Sequence, residues 1–393
     1  MALPAFLFFG GVGLAQNKNL DSLWAVFNSK SQADTNRLNA IHTIAWSYKD
    51  NKPDTAIVLA GQELKFAQTL SGNKASARDG RIYESKALST IGAAYSNKAN
   101  YPKAIEYYLN SLKIAEETGD KKGVGACYEN IGIVYNYQSD SKKALDYYLK
   151  ALAIHEEIKD KQGIGICNTN IGNVYLIRSE YPKALSYYLK ALEVLKEIGD
   201  KQGEGNCYNN IGIVYQHQSD SKKAIEYYLH SLKIAEETGN RQVVGIGYGN
   251  LGVLYNKSGN YKLALLYTDS ELVLCKKIGD IDGEREAYEN FAYVYAKTNN
   301  YKEAYEYHVK FKALTDSIFN ADNSRQLGDL KTKFEVERKE AELKIKAEAE
   351  QEKLKAVAYE EKKRQRLVLL LVSCVLLLVM VFSFFLYKQV IFS

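Results

Sequence analysis

Proline is scarce, with 4 among 393 residues, which excludes a proline-rich linker or a disordered low-complexity chain. Net charge is low too. A formal +5 over this length gives no electrostatic case for a nucleic-acid partner. No stretch alternates apolar and polar residues with period two over any length, so no sheet is expected. Signatures of chemistry are missing as well. The five cysteines form no CxxC pair and no Cys/His cluster. His42, His155, His217, His230 and His308 are scattered without an HExxH-like pair and read as surface or packing residues. Gly123-x-Gly125 returns as Gly163-x-Gly165 and Gly203-x-Gly205, in each case opening a helical pattern with no strand before it. That is not the setting of a phosphate-binding loop. With no nucleophile–base pair either, the sequence offers no enzyme active site, no cofactor site and no metal site.

What is abundant is tyrosine, at 31 residues, and it falls in register. In rows of forty, Tyr95, Tyr135, Tyr175, Tyr215, Tyr255 and Tyr295 share one column, and Tyr107, Tyr147, Tyr187, Tyr227, Tyr267 and Tyr307 another. Gly92, Gly132, Gly172, Gly212 and Gly252 form a third column, closed by Ala292. Ala104, Ala144, Ala184, Ala224, Ala264 and Ala304 form a fourth. A fixed period in this range is the mark of stacked supersecondary units. Cys127, Cys167 and Cys207 also share a column. Neighbouring units stack roughly 10 Å apart, beyond the reach of a disulfide, so these are small buried packing residues.

Each unit holds two helical patterns. Ala126, Ile131, Val134 and Tyr135 recur at helical spacing, the pattern breaks at Ser139-Asp140-Ser141, and Ala144, Tyr147, Tyr148, Ala151 and Leu152 resume it. Ser, Asp and Asn in the breaks suit helix starts, as do Pro102 and Pro182 just inside them. Gly119, Gly199, Gly239 and Gly279 suit the ends of the second helices. The glycine and alanine columns are expected where two helices of one unit approach closely. The tyrosine columns are expected to fill the space between neighbouring units.

The spacing Tyr128-x2-Ile131-Gly132-x2-Tyr135-x8-Ala144-x3-Tyr148-x2-Ala151 resembles the tetratricopeptide repeat, or TPR. The family period is about 34 residues; here it is 40, and the additional residues around GDKKG should lengthen both helices. Glu156 stands where the family's late proline would be. The expected fold is all-α: a TPR-type superhelix of helical pairs, then a long coiled-coil-like helix and one C-terminal transmembrane helix. Six repeats are expected over residues 79–319. A degenerate helical repeat is expected over 37–78, carried by Ile44-Ala45-Trp46-Ser47-Tyr48 and Ala56. Stacked pairs bury each other and present a concave surface that binds polypeptide. The resemblance implies that the first helix of each pair lines that groove. Carried over, the groove residues are Glu129, Ile133, Asn136 and Tyr137; Thr169, Asn173, Leu176 and Ile177; Asn206, Asn209, Gln216 and His217; and Asn256 and Lys257. Lys257 and Lys297 are the only basic groove candidates, too few for a carboxylate clamp. The expected partner is therefore a protein or peptide held through amides and a few apolar side chains.

Both ends carry membrane signals. Residues 1–15, MALPAFLFFGGVGLA, resemble a signal peptide with small residues at Gly13 and Ala15. Residues 320–366 are rich in Lys, Glu and Ala and read as a charged helix, with homodimer pairing through 326–366 expected. Residues 367–387 run 21 long without a charge, enough to span a hydrocarbon core of about 30 Å, leaving a cytoplasmic stub at 388–393. With the segment from Ala313 to Glu342, this layout resembles the sensory half of Bacteroidetes-type membrane signalling proteins. Their outputs are histidine kinases, serine phosphatases or cyclases, and that output domain is absent here. The resemblance implies an extracytoplasmic sensor in the bacterial inner membrane, with the repeats periplasmic. Lys362, Lys363, Arg364 and Arg366 before the span point the other way, to a tail-anchored cytoplasmic scaffold. A fragment of a larger sensor enzyme is the third reading.

Overall fold

In the computed structural model, residues 16–72 and 76–319 are described. The expected signal peptide, the charged helix and the apolar segment 367–387 lie outside them. Among the described residues every element is helical. Helix α1 (Gln16–Asn28) precedes a first pair, α2 (Asp34–Tyr48) and α3 (Pro53–Ser71). Five pairs follow: α4 (Ala77–Asn97) with α5 (Tyr101–Thr118), α6 (Lys121–Tyr137) with α7 (Ser141–Glu157), α8 (Lys161–Ile177) with α9 (Tyr181–Glu197), α10 (Lys201–His217) with α11 (Ser221–Thr238), and α12 (Arg241–Lys257) with α13 (Tyr261–Ile278). Then come α14 (Ile281–Lys297) and the helical residues 301–319. The contacts considered below lie within the compact unit that closes at Lys312. No described helix is long and apolar enough to cross a membrane.

The breaks between helices are one device used again and again. At the end of α6, Ser139 turns left-handed with φ of 60°. The Asp140 N–H then donates to the Tyr135 carbonyl at 2.9 Å, closing α6. The Asp140 carboxylate accepts from the Lys143 N–H at 3.1 Å, opening α7. One aspartate thus ends one helix and starts the next. Asp120, Asp200 and Asp220 do the same, each bonding a carbonyl behind it at 2.9 Å and an amide N–H ahead of it at 2.9–3.1 Å. Helices α6 and α7 are 17 residues each, and with a three-residue break after each they make up the forty-residue period.

Packing turns on a tyrosine one place beyond the column that the sequence emphasises. Tyr108, Tyr148, Tyr188 and Tyr228 are almost completely buried. Each ring lies flat on the glycine of its own pair. A Cβ on Gly132 would stand 2.7 Å from the Tyr148 ring, and one on Gly172 would stand 2.6 Å from Tyr188. The same rings touch the first helix of the next pair: Tyr148 packs with Ile171 and Val174, and Tyr188 with Ile211 and Val214. The expected close approach at the glycine column is therefore present, and an aromatic ring sets it. The two tyrosine columns stack on each other within a unit and, as expected, pack against the unit before, as Tyr135 and Tyr147 do against Ala104 and Tyr108. Tyr135 lies 5.5 Å from Tyr147, Tyr175 5.5 Å from Tyr187, and Tyr255 5.5 Å from Tyr267. The reason is helical phase. One residue turns a side chain by about 100°, so Tyr147 faces the unit before while Tyr148 faces the unit after.

The pattern is interrupted at the pair of α12 and α13, where Thr268 replaces the buried tyrosine. Asn290 donates to Thr268 Oγ1 at 2.6 Å and accepts from Asn256 at 2.9 Å, filling the space with a polar chain. Beside it Glu271 is buried in a column that elsewhere holds Ser111, Ala151, Ala191 and Ser231. Gly249 makes room for its carboxylate. Cys127, Cys167 and Cys207 are buried free thiols, as the column spacing implied, and so is Cys275 outside that column.

Candidate partner-binding face

First helices of successive pairs come close to each other, as α4 does to α6, α6 to α8, α8 to α10 and α12 to α14, while successive second helices show no comparable approach. Asn250 donates to Asn209 at 2.9 Å and so links α12 to α10. The first helices therefore form one continuous face of this unit. Their buried side carries Ile131, Ile171, Ile211 and Leu251 with the glycines. The carried-over groove positions lie on the other flanks.

The structure divides those positions into three kinds. Ile177, His217 and Lys257 are exposed. Ile133, Asn136, Tyr137, Leu176 and Asn206 are half-buried, with the Tyr137 ring stacked on Tyr101 at 6.3 Å. His217 likewise stacks on Tyr181, at 5.7 Å. The remaining amides are already engaged. Asn173 Oδ1 accepts from the Tyr188 hydroxyl at 2.7 Å and from Asn210 at 3.3 Å. Gln216 Oε1 accepts from the Tyr228 hydroxyl at 2.6 Å. Asn209 and Asn256 are buried, their amides bonded to Asn250 and Asn290. Thr169 donates to the Gly165 carbonyl at 2.9 Å. The asparagine-rich groove of the sequence is thus partly internal. A buried tyrosine hydroxyl needs an acceptor, and the nearest first-helix amide supplies it. Burial also pushes the hydroxyls of Tyr148 and Tyr188 well above the ordinary tyrosine range, so they stay protonated donors.

What remains for a partner is more apolar than expected. Ile133, Ile213, Val253 and Tyr293 share one column on the first helices, and Val253 and Tyr293 are exposed. The last three had been passed over, although their forty-residue spacing marks them. Asn136, Asn206 and Lys257 stand with them on the first helices.

Among the described residues, one set of side chains brings metal-ligating atoms together: Glu129 on α6, His155 on α7 and Cys167 on α8. The sequence showed no such cluster because the three stand 26 and 12 residues apart. Glu129, expected in the groove, has its carboxylate in this joint instead. Burial and nearby Asp160 push its carboxyl up to about 7.

Residues 83–157 and 166–237 match the tetratricopeptide repeat family model. Comparison with curated proteins returns no match. Solved structures share the fold. The signal-transduction ATPase with a tetratricopeptide repeat sensor from Pyrococcus horikoshii is 18% identical with a TM-score of 0.56, covering 79% of this chain and 49% of that one. The apo quorum sensor NprR from B. thuringiensis is 17% identical with a TM-score of 0.53, covering 77% and 82%. BtubC from P. vanneervenii is 20% identical with a TM-score of 0.52, covering 59% and 94%.

Proposed function

We propose that this protein is a membrane-anchored TPR interaction module whose first-helix face binds a protein or peptide, and that it is the extracytoplasmic sensor part of a bacterial signal-transduction protein. One observation carries the binding role. The glycine and alanine packing columns stay nearly fixed from repeat to repeat, while one first-helix column runs from half-buried Tyr137 to exposed Ile177, His217 and Lys257. A face built only for stacking has no need of that variety. Two structural neighbours are described as a quorum sensor and as a protein with a repeat sensor, which supports a sensing role. The anchor rests on the uncharged run 367–387, and the outward topology on the apolar start at 1–15.

A second reading is favoured by Lys362, Lys363, Arg364 and Arg366 before the apolar run: a cytoplasmic scaffold tethered by its tail. Protease treatment of spheroplasts separates the two. Digestion of the repeats while cytoplasmic controls survive is expected of the sensor. Protection until the membrane is broken would establish the scaffold and overturn the sensor.

A further inference from the structure

We infer that Glu129, His155 and Cys167 form a three-ligand site for zinc at the joint of α6, α7 and α8. Their ligand atoms all lie within 4.8 Å of one another. A tetrahedral ion with bonds of about 2.0–2.3 Å requires neighbouring ligands roughly 3.3–3.8 Å apart, so small side-chain rotations close the site. The set joins an imidazole, a thiolate and a carboxylate. That mixture suits zinc, whereas magnesium and calcium take oxygen ligands.

The histidine supplies an independent observation. His155 is 3% exposed, and its Nε2 has no hydrogen-bond partner. Nδ1 lies 3.3 Å from Asp160 Oδ2, which also faces Lys122 Nζ at 3.4 Å. A carboxylate behind Nδ1 holds the imidazole in the tautomer that turns Nε2 to a metal. Nε2 is otherwise a buried nitrogen with nothing to bond, which a folded interior rarely tolerates. Glycine walls the ring on both sides. A Cβ on Gly163 would stand 2.2 Å from Nδ1, and one on Gly125 would stand 2.8 Å from Nε2.

The repeat itself supplies the comparison. The next joint brings two of the three positions equally close: Thr169 Oγ1 and Cys207 Sγ, the counterparts of Glu129 and Cys167, lie 3.6 Å apart. The triplets elsewhere are Ser89, Ala115, Cys127; Thr169, Leu195, Cys207; Asn209, Ala235, Gly247; and Gly249, Cys275, Ala287. Only the joint of α6, α7 and α8 has a ligand at all three. A bound ion would tie two neighbouring repeats together. Three protein ligands leave the fourth tetrahedral position to water.

The test uses the full-length chain, freed of metal with a chelator and titrated with zinc alone, and with cobalt(II) as spectroscopic probe. One equivalent is expected to bind, to raise Tm, and with cobalt to give a thiolate charge-transfer band. The band should vanish in Cys167→Ser and His155→Ala and persist in Cys127→Ser and Cys207→Ser. Alanine already occupies the histidine's column at Ala115 and Ala235, so His155→Ala should fold, which circular dichroism checks. Glu129→Gln offers a milder second variant, expected to weaken binding by about tenfold or more. A wild-type chain with no thiolate band, a band surviving either the cysteine or the histidine substitution, or uptake without stoichiometry would overturn the site.

Discussion

At the scale of single residues, the account rests on a ring pressed against a glycine. With the Tyr188 ring 2.6 Å from where a Cβ on Gly172 would sit, Gly172→Ala forces the tyrosine off its seat. Overpacking of this kind costs about 1–3 kcal/mol. Gly61, inside α3 with nothing within 4 Å of its would-be Cβ, is the control: Gly61→Ala should gain about 0.5–1 kcal/mol from helix propensity. Urea melts of the two variants check the sign of each; equal effects would contradict the packing. Glu271 gives a pH test. Burial, with Glu286 and Asp280 nearby, holds its carboxyl well above the usual range. A raised folded value means that its contribution is intact below the unfolded pKa, about 4.3, and is lost as pH rises through the folded value. Glu271→Gln should therefore be more stable than wild type by about 1–3 kcal/mol at neutral pH, with the gain vanishing near pH 4. A gain independent of pH would show that the charge is not the cause.

At the scale of elements, helices and breaks were legible because each is written by local chemistry. Asp200 caps α10 through the Gly203 N–H at 2.9 Å, and Asp200→Ala should cost about 1 kcal/mol. Ala99, left-handed with φ of 55°, pays for the missing glycine, so Ala99→Gly should recover up to about 1 kcal/mol. Thermal melts of both variants check the device; no change in either would contradict it. Helix α1 was not foreseen. Its Leu20, Leu23 and Trp24 pack against Ile44 and Leu59, and thirteen residues with few apolar positions leave little periodicity to read. The tyrosine columns were seen and do pack between units, but the stacking of their rings within a unit was not foreseen. A column records that a residue is repeated, and only the helix's phase says which neighbour it faces.

At the scale of the whole array, repetition made the fold legible and obscured the site. Columns that hold across repeats are packing, and the eye passes over the places where one repeat differs. His155 in a column of alanine, leucine and cysteine is such a place, as is Glu271. The groove amides were misjudged for a related reason. Asn173 and Gln216 vary among repeats, as a ligand contact would, yet both serve buried tyrosine hydroxyls, a demand visible only once the helices are stacked.

The binding claim is tested most directly by photo-crosslinking in the native cells, with the reactive side chain placed one position at a time. Ile177, Val253 and Lys257 sample the exposed first-helix face; Leu149 and Leu189, exposed on second helices, are the controls. One shared adduct from the first-helix positions, absent from the second-helix ones, is the predicted result. Adducts arising equally or only from Leu149 and Leu189 would contradict the assignment of the binding face.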